Sequence, residues 1–152
     1  MTVRQPERPE AKDHQSLAFW AADCAERVLP LFEDILPEDD RPRKAIEAAR
    51  AWARGELPMT KARQAAFAAH AAARSTNIEP ARLAARASGH AAATAHVAGH
   101  ARHAANYAFK ALSATFYPNH NGDTISEELD WQYNHLPEHL RSLVYPAANR
   151  EF

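Results

Sequence analysis

Apolar positions recur at helical spacing from residue 16 onward: Leu17, Trp20, Ala21, Cys24 and Val28 share one face, while Asp23, Glu26 and Arg27 fall toward others. This predicts a first helix to about residue 36. Pro30 removes an amide donor inside that span, so a kink or break is expected near residues 28–31. The run PEDDRP at 37–42 is a turn and a helix start, with Asp40 or Arg41 as the cap and Pro42 in the first turn, where a missing donor costs nothing. The second helix turns Ala45, Ala49 and Trp52 inward and stops at Gly55, a residue suited to the left-handed position after a helix. Its Arg43, Glu47, Arg50 and Arg54 form a charged stripe, the pattern of a solvated face laced by ion pairs.

Thr60 is the expected cap of a third helix, which carries Arg63, Phe67, His70 and Arg74 on one face and ends near residues 75–77. Glu79-Pro80 opens the next. Uninterrupted from 80 to 115, that helix would measure about 54 Å, longer than a domain of this size is wide. A break is therefore expected, with Gly89 and Gly99 as candidates and residues 97–99 favoured. Residues 117–122 are dense in turn formers, and Thr124 to Glu127 has capping-box spacing before an amphipathic helix that reaches Leu136. Pro137 starts a last short helix bearing Leu140, Leu143 and Val144. No segment alternates apolar and polar with β-branched residues. The expected fold is all-α: a single-domain bundle of about six or seven helices over 14–146, with a disordered arm at 1–13 and a frayed tail at 147–152.

Composition sharpens this picture. Alanine fills 35 of 152 positions, so the expected core is alanine-rich, built from small side chains with a few large ones, chiefly Phe19, Trp20, Phe32, Trp52, Phe67, Phe109, Phe116 and Trp131. Eighteen basic and 19 acidic groups leave a formal charge of −1, without the cationic field of a nucleic-acid binder. The lone Cys24 cannot form an intrachain disulfide and reads as a small buried hydrophobe in a reducing compartment. No stretch is apolar enough to span a membrane, and the first residues lack the apolar segment of a secretory leader. A cytoplasmic protein is expected.

Nine histidines are the compositional oddity, and four of them fall in residues 88–107. On one continuous helix, His96, His100, His103 and Tyr107 would lie within about 60° of one another. His96 and His100 make an H-x3-H pair whose imidazoles can reach one divalent transition metal, with His103 as a third nitrogen. No H-E-x-x-H or E-x-x-H motif supplies a carboxylate, so Asp23, Glu26 or Glu33 would have to approach from another helix. For an enzyme, His96, His100, Tyr107 and Asp23 would do general acid and base work beside Arg41 or Arg50. No nucleophile elbow, phosphate loop or dinucleotide fingerprint accompanies them. His70 is most simply a helix-face histidine, and His120, His135 and His139 sit near turns or helix ends, where solvation is the default.

Several runs carry a resemblance: DCAERVLPLFE from Asp23, DDRPRKAIEAARAWARG from Asp39, AAHAAAR from Ala68, GHAAATAHVAGHA from Gly89 and WQYNHLPEHLRSLV from Trp131. Together they resemble the fifth-numbered, all-helical immunity family of bacterial polymorphic-toxin systems, over roughly residues 17–144. The resemblance implies a helical domain that binds and neutralises a cognate toxin protein, with no cofactor; charge balance and hydropathy leave neither nucleic acid nor membrane as an expected partner. The resemblance points to Asp23, Arg41, Arg50, Trp52, His70, Thr94, His96 and His100 as the binding positions. Similar sequences often carry proline after the valine matching Val97, where this chain has Ala98. An alanine-rich helix pair could also face a second copy, which leaves a homodimer open. The competing expectation is a small-molecule or metal-dependent enzyme with a pocket lined by His96, His100, His103 and Tyr107.

Overall fold

Prolines set where the helices begin. The structure, a computed structural model, describes residues 10–115 and 121–146. α1 spans Ala11–Glu26, and after a short break α2 spans Leu29–Glu33 with Pro30 in its first turn. α3 (Arg41–Ala53) and α5 (Glu79–Ala93) likewise carry Pro42 and Pro80 in their first turns, where the ring removes a donor that has no partner anyway. α4 spans Met59–Arg74, α6 His100–Ser113 and α7 Asn121–His135; a 3-10 turn at Glu138–Leu140 leads into α8, Arg141–Val144. No strand occurs among the described residues.

Three expectations about helix ends need correction. α1 starts at Ala11, so residues 11–13 belong to the helix and not to an arm. Pro58, not Thr60, is the N-cap of α4, and Thr124 lies inside α7 rather than capping it. The expected turn before α7 lies mostly outside the described residues, as do Phe116, His120, residues 1–9 and the tail at 147–152. Among the described residues eight α-helices stand where six or seven are expected, because the first helix breaks outright before Pro30.

Gly55 closes α3 as its position predicts. Its φ of 77° is left-handed, and the amides of Gly55 and Glu56 donate to the carbonyls of Trp52 and Ala51, the paired bonds of a Schellman end. The helix expected to break near 97–99 breaks over residues 94–99, without a proline at Ala98.

α4, α5 and α6 are joined by short connections and pack side by side, with α5 in the middle; α1 and α3 lie across their inner side. That inner side is alanine: Ala62, Ala66, Ala69 and Ala73 on α4, Ala81, Ala84, Ala85 and Ala91 on α5, and Ala101, Ala104, Ala105 and Ala108 on α6, all buried. Large side chains come from α1, α2 and the chain end, with Trp20, Phe32, Leu136 and Leu140 buried. Phe67, expected in the core, is 59% exposed. α4 turns its alanines inward and packs too closely for a phenyl ring, and the periodicity then places residue 67 outward. Cys24 is buried as expected, and burial pushes its thiol pKa well above the usual value.

Candidate functional site

The eight positions to which the resemblance points do not form one site. They fall into three polar clusters, with two residues apart. In the first cluster Arg50, reaching from α3 to α1, donates from Nη2 to Asp23 Oδ1 at 2.7 Å and to Glu26 Oε1 at 2.9 Å. His135 of α7 meets the other Asp23 oxygen through Nε2 at 2.9 Å and stacks on Trp131, which also lies under the Arg27 guanidinium. Arg27 in turn bonds Glu128 Oε1 at 2.9 Å. Glu128 and Gln132 are buried; Gln132 donates to the Ala105 carbonyl at 2.9 Å and accepts the Trp20 indole N–H on its own carbonyl at 2.8 Å. Four helices are thus tied through α7, and His135 is a partner of Asp23 rather than the merely solvated histidine expected.

The second cluster joins Trp52 to Thr94 through a residue that the sequence reading does not single out. His14 of α1 reaches the Thr94 carbonyl with Nε2 and packs its ring 4.6 Å from Trp52. Thr94, fully buried, donates Oγ1 to the His90 carbonyl at 3.0 Å, one turn back. These contacts hold the last turn of α5, where the chain leaves for α6.

His90 is the centre of the third cluster. Its ring lies 5.0 Å from His70, 5.1 Å from His100, 5.2 Å from His103 and 5.1 Å from Tyr107, and it stacks on Tyr107 at 10°. His90 Nδ1 and His100 Nδ1 are 3.0 Å apart, so one carries a proton and the other accepts it. Arg86 Nη1 donates to His70 Nδ1 at 2.9 Å, which leaves the His70 proton on Nε2. Gly89 makes room for that ring: a Cβ there would stand 2.7 Å from His70 Cε1. Burial, then the Arg86 charge, lowers the His70 pKa to about 4; burial, then its histidine neighbours, lowers His90 to about 3. His100 is lowered as well, by burial and then by His103 and His96. His70 and His90 are therefore uncharged at neutral pH.

His96 and Arg41 stand apart. The break in the helix puts His96 on the exposed α5–α6 connection, which overturns the single continuous stripe of His96, His100, His103 and Tyr107. Arg41 turns back on Asp39, donating from Nε at 2.9 Å and Nη2 at 2.6 Å and holding that carboxyl below its usual pKa. Glu26 and Glu33, the carboxylates expected near a metal, bind Arg50 and Arg43 instead. Among the described residues no group of three His, Cys, Asp or Glu side chains is arranged to hold a metal ion. Two shallow depressions, one lined by residues 35–41 and one by Glu79, Leu83, Phe109, Lys110, Ser113 and Ala114, contain none of the histidines.

The sequence reading misses His90, although the break between α5 and α6 offers a signal for it. Once the chain folds back between α5 and α6, residues on either side of the connection face each other, and His90 then meets His100 and His103. His14, Glu128 and Gln132 carry no such signal, since their partners are 80 to 112 residues away.

An all-helical domain whose polar clusters tie helix to helix belongs to the class of small bundles that present side chains on a fixed frame. A family model described as Imm-5 like putative immunity protein matches residues 7–139. The chain belongs to that family. No curated protein and no solved structure matches it. Among the described residues no helix is long and apolar enough to cross a membrane.

Proposed function

We propose that this protein is an immunity protein of a bacterial polymorphic-toxin system, acting in the cytoplasm by direct, non-catalytic contact with a cognate toxin. The observation that carries this reading is the family match across residues 7–139, nearly all of the helical frame. Asp23, Arg50, Trp52, Thr94 and His70 are occupied by contacts within the chain, so they act as staples that keep a binding surface in shape.

The test is co-expression with a panel of toxin domains from polymorphic-toxin systems. Restored growth and a stable one-to-one complex with one of them, with the toxin recovered chemically unaltered, are expected. Continued killing by every member and separate elution of the two proteins would overturn the reading. The competing enzyme reading requires a concave site lined by the histidines. Metal analysis of untagged protein and of a His96→Ala, His100→Ala variant tests it separately: stoichiometric metal lost in the variant would favour that reading.

A further inference from the structure

The near-zero net charge hides a segregation. Between residues 57 and 122 the chain has seven Lys and Arg and a single carboxylate, Glu79; the remainder holds eleven Lys and Arg against eighteen carboxylates. The first segment is α4, α5 and α6, whose inner sides are alanine, so its charges stand on the outer side. Arg63, Phe67, His70 and Arg74 share one stripe of α4; Arg82 and Arg86 lie opposite the buried alanines of α5; His103 and Lys110 are exposed on α6.

The pairing is as uneven as the composition. Every Lys and Arg from Arg27 to Arg54 has a carboxylate partner: Arg27, Arg41, Arg43, Lys44, Arg50 and Arg54. Among the described residues none of Arg63, Arg74, Arg82, Arg86 or Lys110 has one. Phe67, on the same stripe of α4 as Arg63 and Arg74, is the most exposed large apolar side chain described, with the Arg63 guanidinium 5.4 Å from its ring.

We infer that the outer face of α4–α5–α6 is a docking surface for an acidic protein patch, with Phe67 as the apolar anchor and the unpaired arginines as the charge complement. The inference rests on the immunity reading for the partner's identity, and adds which face binds and what chemistry it meets. An exposed aromatic beside an arginine, on a layer that carries further arginines, is the composition of an interface centre, where aromatic and Arg side chains dominate the binding energy. Carboxylates are the complement because the face supplies donors and almost no acceptors of charge. A protein partner is favoured over a nucleic acid because the acidic remainder of the chain cancels the long-range field that draws polyanions in. A second copy is disfavoured because most carboxylates of its own α1–α3 half, Asp23, Glu26, Glu33, Asp39, Asp40 and Glu56, already hold a basic side chain.

The test uses the intact chain, Phe67→Ala, an Arg63→Glu, Arg74→Glu pair, and Lys44→Glu as a control outside the face, each first checked for an unchanged circular-dichroism spectrum. The probes are the toxin domain that the co-expression test identifies, labelled poly-L-glutamate, and a DNA duplex of equal charge. Phe67→Ala is expected to weaken toxin binding by about 30-fold. The Glu pair should slow association and abolish polyglutamate binding, while Lys44→Glu leaves both within about twofold. A toxin complex that forms normally with every face variant would overturn the docking face and leave the immunity reading standing. A toxin that does not bind at all, with polyglutamate still held by this face, would sink the immunity reading and keep the acidic-protein surface. Tighter binding of the duplex than of polyglutamate, or a wild-type dimer that the Glu pair dissociates, would overturn the assignment of the occupant.

Discussion

The two halves of the bundle use arginine in opposite ways. On α1–α3 each guanidinium closes onto a carboxylate from a neighbouring turn or helix, and Arg50 alone joins two acids on α1. On α4–α6 the guanidiniums have no carboxylate to close on among the described residues, and Arg86 meets a histidine nitrogen instead. The same residue type is thus a staple on one side and a free recognition group on the other. Local supply of carboxylates decides which, so stability and binding should respond to different substitutions.

The largest effect is expected where the staple is most buried. Arg27→Ala removes the partner of Glu128, whose side chain is 2% exposed, and also uncovers Trp131. Leaving that carboxylate unpaired should cost about 2–3 kcal/mol, less than for a fully buried pair because Arg27 itself reaches solvent. Urea unfolding checks it; a loss under 1 kcal/mol would show that water reaches Glu128. Arg50→Ala comes next, at about 1–2 kcal/mol, since Asp23 and Glu26 remain partly solvated and Asp23 keeps His135. The loss should shrink in high salt, and an unfolding series at two salt concentrations reads it.

The fold was more legible in the sequence than the site. Alanine periodicity and the placement of Pro42, Pro80 and Gly55 locate helix ends because these are local effects of one residue on its own backbone. The break before α6 was also legible, since a domain of this size cannot hold so long a helix. What stayed hidden depends on pairings distant in the chain: His14 with Thr94, Trp20 with Gln132 and Arg27 with Glu128. Net charge misdirected the reading in another way. A sum of −1 is silent about where charges sit, and only the packing of α4, α5 and α6 into one layer turns a run poor in acids into a face.

The histidine cluster separates the halves by pH. The folded pKa values of His70 and His90, about 4 and about 3, lie below the ordinary 6.5, so the unfolded chain takes up protons first as pH falls. Stability from these rings is complete above about pH 7 and is lost progressively from there toward about pH 3. Both rings are only half buried and solvent screens the effect, so the fall in Tm between pH 7 and 5 should be modest, about 2–4 °C. A Gly89→Ala variant sharpens the point: displacing the His70 ring from Arg86 should raise the His70 pKa toward 6.5, visible in its imidazole NMR shifts. An unmoved titration would mean that the ring keeps its place by other contacts.

The smallest expected effect on stability is the most informative for the comparison. Arg63→Ala and Arg74→Ala remove charges from exposed positions that hold no carboxylate, and Arg63 gives up only its contact with an exposed Phe67 ring. Alanine is also the better helix former, so each change should stay within about 0.5 kcal/mol in either direction. Both variants should therefore keep the wild-type unfolding midpoint in urea while the Arg50→Ala midpoint falls. If Arg74→Ala proved as costly as Arg50→Ala, the α4–α6 arginines would be staples too, and the contrast between a paired half and a free face would fail. If the midpoints separate as expected, the free arginines contribute nothing to holding the fold, and their concentration on one acid-poor layer is explained by what that layer binds.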